Sequence, residues 1–374
     1  MKIAVLGAGM VGRVIASDLC KNHQVTSFDI NENNLAILKK TAGISCNQAD
    51  LSAYDTYATM LVGFDMVVSA VPGFMGYKTL ESIINTGKNV VDISFFPENA
   101  LDLHGLAVSK NVTAIVDCGV APGMSNLILG YYDTQMKIDS FECMVGGLPK
   151  KRIKPFEYKA PFSPIDVLEE YTRPARYVEH GQIITKPALS DAELIDFDKA
   201  GTLESFNTDG LRSILHTMKH IPDMKEKTLR YPGHIQLIQS LQKAGFLDSK
   251  PIECNGQLVS PLDFTSALLF NQWKLEEGEE EFTIMKIIIR GTIEGKPQQV
   301  DYFLYDEYDN KTNTSSMSRT TGYTCTAAVN MVLEKLFSLK GVYPPELIGK
   351  DKGCFEYILR YLKDRQVNYA SCIS

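Results

Sequence analysis

The chain of 374 residues is predicted to join a doubly wound parallel α/β domain to a second, α+β domain. Three observations carry this. Short runs crowded with Val and Ile alternate with helical patterns over the first third of the chain. A glycine-rich turn follows the first of those runs. Beyond about residue 124 the rhythm changes to longer strands of alternating polarity. The length also exceeds what one hydrophobic core usually organises.

In chain order, "KIAVLG", "QVTSFDI", "MVVSAVP", "NVVDIS" and "VTAIVDCG" read as strands, with a weaker third strand just before Asp50. Their continuous apolar character suits a parallel sheet covered on both faces. Helices are expected from near Val11, Asn33, Tyr77 and Pro97. The first domain is placed at residues 1–125. Residues 126–320 form the second, with "HIQLIQSLQKAG" and "PLDFTSALLFNQW" as helices and "FTIMKIIIRGTIEG" with "QQVDYFLYDEYD" as a hairpin turning at "EGKP". The tail, 321–374, reads as helical, and part of it is expected to pack back on the first domain.

Composition narrows the function classes. A net charge of −7 with Lys and Arg scattered among acids excludes a nucleic-acid-binding stripe and favours a small-molecule partner. The eight cysteines show no CxxC pair and no His/Cys spacing that would hold zinc, so no metal is expected and they read as reduced thiols. The first residues lack the form of a signal peptide, and no window approaches the roughly 20 apolar residues that span a bilayer. A cytoplasmic protein that meets no membrane is expected.

Gly7, Gly9 and Gly12 spell G-x-G-x-x-G directly after a strand and at the start of a helix. The first permits the tight turn, the second lets backbone N–H groups approach a pyrophosphate, and the third allows close helix–strand packing. Met10 and Val11 then open the helix whose amino end favours the anion. Asp29 ends the second strand, where a carboxylate accepts hydrogen bonds from ribose hydroxyls and repels a 2′-phosphate. With no Arg in "FDINENN", NAD is expected rather than NADP. The domain is therefore of Rossmann type. Asp50 reads either as an adenine neighbour or as an ordinary loop acid. Ala70, Val71 and Pro72 end the fourth strand, where small residues let the chain pass over the dinucleotide. Asp92 in "VDISFF" and Asp117 in "VDCGVAPGMSN" end the next two strands on the same rim, each read as a carboxylate near the nicotinamide or as a cap of the segment that follows.

The stretches "VDCGVAPGMSN", "VGGLP", "APFSPIDVLEEYTRPA", "SFNTDGLRSIL", "KTLRYPGH" and "RTTGYT" occur in an order that resembles the saccharopine dehydrogenase-like family across nearly the whole chain. The resemblance implies a Rossmann domain paired with an α+β substrate domain. Saccharopine reductases carry an Asp before the Pro-Gly of the second turn and a Cys before "GGLP"; this chain has Ala121 and Val145. Losing both argues for a smaller amine, and the chain is most similar to the lysine 6-dehydrogenase branch, which oxidises the ε-amino carbon of L-lysine with NAD. The alternatives are a saccharopine dehydrogenase and a non-catalytic NAD-binding regulatory protein.

Amine oxidation needs a neutral nitrogen, hence a base, together with a clamp for the substrate carboxylate and an acid for its ammonium. Arg212 and Arg230 are the expected clamp, each also readable as an ion-pair residue. His234, at an apparent helix start, and Asp117 are the expected catalytic groups, with His234 also readable as a capping or packing histidine. Asp209, Glu170 and Tyr171 are expected to bind substrate, with Tyr231 a further hydroxyl; the acids read equally as helix caps or solvated charges and the tyrosines as packing residues, and Cys118 reads as a small buried hydrophobe. A homodimer or homotetramer is expected, the hairpin offering an edge for a second subunit.

Overall fold

The computed structural model describes residues 1–41, 43–162 and 164–374. The opening run forms β1 (Lys2–Leu6), with its last four residues buried, as a central parallel strand requires. It is followed by α1 (Met10–Leu19), β2 (Gln24–Asp29), α2 (Glu32–Leu38), β3 (Ile44–Gln48), β4 (Met66–Ser69), α3 (Gly73–Asn85), β5 (Asn89–Asp92) and β6 (Thr113–Ile115). The helix expected near Pro97 begins later, as a tight turn over Ala100–Leu103 capped by the Asn99 side chain.

The chain then enters α4 (Met124–Asp133), β7 (Lys137–Pro149), α5 (Pro164–Thr172), β8 (Ala175–Glu179), β9 (Gln182–Lys186), β10 (Glu193–Phe197), β11 (Gly201–Asn207), β12 (Asp223–Arg230) and α6 (His234–Lys243). A small ribbon of β13 (Ile252–Cys254) and β14 (Gln257–Val259) precedes α7 (Pro261–Trp273). The hairpin is β15 (Glu281–Ile293) and β16 (Lys296–Glu307), turning at Glu294 and Gly295, both with positive φ as a two-residue hairpin turn demands. The tail holds α8 (Ser316–Leu333), β17 (Gly341–Tyr343), α9 (Lys352–Asp364) and β18 (Tyr369–Ile373).

Two large sheets result. In the first the order is β3-β2-β1-β4-β5-β6-β17, and every described pairing is parallel. Strand order reverses between β1 and β4, which opens a crevice at their carboxyl ends. In the second the order is β10-β11-β12-β7-β15-β16-β18, with β12 and β7 parallel and the other pairs antiparallel. The tail serves both sheets: β17 extends the first beside β6, and β18 covers Val300–Leu304 of β16. The hairpin edge expected to face another subunit is thus partly occupied by the chain's own end.

Helix α8 begins at Ser316, ahead of the expected start, and lies against α1. What pins this packing is Asp18 of α1, whose side chain is 1% exposed. Its Oδ2 accepts from Arg365 Nε at 2.8 Å, Thr326 Oγ1 at 2.7 Å and the Tyr361 hydroxyl at 2.9 Å. Burial raises the Asp18 pKa, but the Arg365 hydrogen bond and charge outweigh it and leave the carboxyl below its ordinary value. Removing the guanidinium leaves the buried carboxylate with only the exposed Lys21 ammonium, 3.0 Å from Oδ1, as a counter-charge. Arg365→Ala is therefore expected to destabilise the protein by about 3 kcal/mol in denaturant unfolding, whereas a loss under about 0.5 kcal/mol would place the pair among exposed, inconsequential ones.

Candidate active site

A cleft of about 1460 Å³ runs from the carboxyl ends of β1, β2 and β4 to the inner face of the second sheet. Its nucleotide end is lined by Gly7, Gly9, Met10, Val11, Gly12, Asp29, Asp50, Ala70, Val71 and Pro72. Gly7, at φ +104°, leaves no room for a Cβ against the Ala70 carbonyl, and a Cβ at Gly12 would run into the Gly7 carbonyl. At Gly9 a Cβ would meet nothing within 4 Å, so this glycine borders open space at the amino end of α1. No side chain caps that helix and no acid sits in its first turn, which leaves its N–H groups to an anion. These residues fit a dinucleotide's phosphates. Asp29 faces the same space; its Oδ2 accepts from the Ala8 N–H at 2.6 Å and its Oδ1 from the Asn31 N–H at 2.7 Å. Asp50 is tied by the Ser52 N–H and hydroxyl at 2.9 and 2.6 Å.

The substrate end takes Asp117, Glu170, Asp209 and Arg230, together with Ala121 and Val145. Nearly every charge here is already engaged. Asp117, at φ 53° just beyond β6, accepts from Arg212 Nε at 2.6 Å. Asp209 takes Arg176 in two parallel bonds, Nε to Oδ1 at 2.9 Å and Nη2 to Oδ2 at 2.8 Å. Arg230, 2% exposed, gives Nε to the Tyr171 hydroxyl at 2.9 Å and Nη1 to the Leu229 carbonyl at 2.9 Å. Its Nη2 reaches Glu170 Oε2 at 3.1 Å and the Tyr158 hydroxyl at 3.4 Å. Of five guanidinium N–H groups, one on Nη1 is left for a ligand.

Four expected site residues stand behind the cleft wall. Arg212, expected to clamp a substrate carboxylate, spends its guanidinium on Asp117 and the Phe96 carbonyl and lies over the Phe95 and Phe96 rings. It is an interdomain ion-pair residue. Asp92 is fully buried beneath Ser94, whose hydroxyl it accepts at 2.8 Å. Burial pushes its carboxyl up to about 7 against the Ser69 and Ser94 hydrogen bonds. His234, expected as base, is 2% exposed. Its Nδ1 lies 2.9 Å from the Phe156 carbonyl, an acceptor only, so Nδ1 carries the proton and Nε2, 2.9 Å away, accepts from the Tyr171 hydroxyl. Burial, then the Arg230 charge, lowers its pKa to about 3. A neutral imidazole enclosed on both nitrogens positions Tyr171; it does not face substrate. Tyr171 itself, fully buried, passes the chain of bonds from Arg230 to His234, and burial pushes its hydroxyl up to about 12.

The structure also brings in Glu226, Thr228 and Arg13, which motif reading passed over, beside the expected Arg230. Glu226, Thr228 and Arg230 follow at every second position of β12 and all line the cleft, because alternate residues share one face of a strand. That periodicity in "EKTLR" was the available signal. Arg13, directly after Gly12, lies in the nucleotide wall with Glu277 and Asp29 as charged neighbours. Cys118 is 3% exposed, and burial raises its thiol, as for a buried hydrophobe.

Fold and site thus define a two-domain protein with a dinucleotide cleft between a Rossmann sheet and a mixed substrate sheet. Residues 3–115 match the saccharopine dehydrogenase NADP binding domain and residues 119–367 the saccharopine dehydrogenase C-terminal domain, so the chain belongs to the saccharopine dehydrogenase family. It is 22% identical over 283 residues to the mitochondrial alpha-aminoadipic semialdehyde synthase of Mus musculus, which covers 71% of this chain and 31% of that protein. The chain spans about a third of the length of such relatives. It is 21% identical to the carboxyaminopropylagmatine dehydrogenase of Synechocystis, over 94% of this chain and 93% of that one. The saccharopine dehydrogenase (L-Glu forming) of Saccharomyces cerevisiae shares the fold with a TM-score of 0.81 at 20% identity, covering 100% of this chain and 99% of its own. No helix among the described residues is long and apolar enough to cross a membrane.

Two outcomes are expected. The native imidazole of His234 stays neutral down to about pH 3, whereas the unfolded chain protonates its own near 6.5. Stability contributed at neutral pH is therefore lost as pH falls through 6.5, by up to about 1.4 kcal/mol per unit. Unfolding free energies of wild type minus His234→Gln, measured from pH 8 to 4, should decline accordingly; a flat difference refutes the assignment. Replacing Asp29 with Ser and the exposed Ile30 with Arg should move the NADP/NAD ratio of kcat/KM by about tenfold or more. An unchanged ratio would show that Asp29 does not meet the ribose.

Proposed function

We propose that the protein oxidises the ε-amino group of L-lysine with NAD, yielding 2-aminoadipate 6-semialdehyde by way of an imine. The observation that carries this reading is the charge balance at the substrate end. Asp117, Asp209, Glu170 and Glu169 are matched there by Arg212, Arg176, Arg230 and Arg173, and Glu226 adds a carboxyl that no arginine among the described residues engages. L-Lysine brings two ammonium groups and one carboxylate to such a wall. Saccharopine brings three carboxylates, which would need free guanidinium groups. Ala121 and Val145, small and apolar in the same wall, further support a compact amine.

The remaining Nη1 N–H of Arg230 meets the α-carboxylate, and the bonds to Tyr171, Tyr158 and Glu170 hold the guanidinium still for it. A wall carboxylate receives an ammonium proton, since only a neutral nitrogen can release hydride from its carbon. The nicotinamide, when bound, supplies the hydride acceptor. Asp29 supports NAD over its 2′-phosphorylated form by like-charge repulsion.

Purified protein mixed with NAD and L-lysine at alkaline pH should generate reduced coenzyme, at a rate at least about tenfold above that with saccharopine. Faster turnover of saccharopine would replace the lysine reading with the runner-up. Coenzyme binding without reduction by either amine would favour a non-catalytic NAD-binding protein.

A further inference from the structure

The carboxyls of the substrate end differ in one respect. Asp117 is held by Arg212, Asp209 by Arg176, Glu170 by Arg230 and Glu169 by Arg173. Among the described residues no cation holds Glu226. It is 8% exposed, it lines the cleft, and its Oε2 has no hydrogen-bond partner among the described residues. A buried carboxyl left in this way is rare, because desolvation without a compensating bond is costly. Its seat is made for it: a Cβ at Gly210 would collide with the carboxyl, so the glycine leaves it room. Its strand also runs beside a residue of the cleft wall that carries Ala121 and Pro122. In the register of β12 on β7, Glu226 pairs with Cys143 and Thr228 with Val145, and Val145 faces the same cleft as Ala121 and Pro122.

We propose that Glu226 is the group that receives the substrate's reacting amine, pairing with it as ammonium and then taking one of its protons. This rests on the amine-oxidation reading of the cleft. The ammonium N–H bond breaks toward Glu226, which becomes a neutral acid, and its electron pair stays on nitrogen. The C–H bond next to that nitrogen then breaks with its pair leaving as hydride to the nicotinamide, and the nitrogen pair closes the C=N bond. Burial, with Glu170 and Asp209 as like-charged neighbours, holds the Glu226 pKa well above the usual carboxylate range, which strengthens it as a proton acceptor once a cation has drawn it into the ionised form. Arg230 on the same strand face holds the carboxylate end of the ligand, so β12 alone presents an anion for the amine and a cation for the acid.

The test uses the full chain with NADH bound and titrates L-lysine, L-ornithine, agmatine and 1,5-diaminopentane, with L-norleucine as the analogue of lysine that lacks the terminal nitrogen. Wild type should bind at least one of the amines about tenfold or more tighter than norleucine, and Glu226→Gln should erase that preference. For whichever amine reduces NAD, Glu226→Gln should lower kcat about 100-fold or more, with Glu226→Asp recovering part of it. NADH affinity and the unfolding midpoint, which should not fall in the isosteric Gln variant, report that the fold is intact. A preference for amines that survives in Glu226→Gln overturns the proposal, as does wild type that binds no amine better than norleucine. If lysine fails while another amine binds through Glu226, the lysine reading falls and the assignment of Glu226 stands.

Discussion

The geometry of the cleft depends on the buried ion pair between Asp117 and Arg212. One partner lies just beyond β6 of the Rossmann sheet and the other on the segment between β11 and β12. Their side chains are 3% and 6% exposed, with Nε to Oδ1 at 2.6 Å. Both residues sit at positive φ, 53° and 48°, in a region that costs a non-glycine residue about 1–3 kcal/mol and persists only where the surroundings enforce it. The Phe95 and Phe96 rings close over the guanidinium at 4.7 and 5.1 Å. Such a pair adds little to stability compared with apolar packing, but breaking it leaves an isolated buried charge. Its consequence is positional. It sets how the mixed sheet meets the carboxyl ends of the parallel strands, and so the width of the space between them.

A second constraint works on the far side of that space. Arg230, Tyr171, His234 and the Phe156 carbonyl form one line of hydrogen bonds, each member using a donor or acceptor that the next requires. Trp273, itself fully buried, packs edge-on against Tyr158 and Tyr171, at 5.4 and 6.0 Å between ring centres. A guanidinium so enclosed cannot swing. The burial that makes His234 a poor base makes it a good anchor, since a neutral imidazole with a fixed tautomer orients Tyr171 without adding a competing charge. Chemistry is thereby left to groups that reach the cleft itself.

Legibility differed between the two halves for a physical reason. The nucleotide end is built from consecutive residues, so G-x-G-x-x-G, the strand before it and Asp29 carry their meaning in spacing alone. The apolar runs of β1, β4 and β5 likewise announced a covered parallel sheet. At the substrate end, adjacency in the chain says little. Asp92 follows a strand in the same manner as Asp117, yet one turns under Ser94 while the other meets an arginine ninety-five residues away. The Arg212 and Arg230 side chains look alike in sequence, and only packing shows that the first joins two domains while the second borders the cleft. Glu226 was visible as one of three alternating polar residues in "EKTLR", but that alternation gains meaning only when β12 is known to present that face to the cleft.

What the amino-acid sequence determined by itself is the two-domain α/β architecture, the glycine turn and acid suited to a dinucleotide, and the order of stretches that resembles the saccharopine dehydrogenase family. These rest on local rules: periodicity, turn chemistry and helix ends. The tertiary structure decided which charges cancel, which histidine is sealed, where the tail's two strands go, and which substrate-end carboxyl is left, among the described residues, without a cation. These depend on through-space contacts between β7, β12, α5 and the Rossmann rim, and on the loss of water around them, which fixes whether a titratable group serves as a strut or stays available to a ligand.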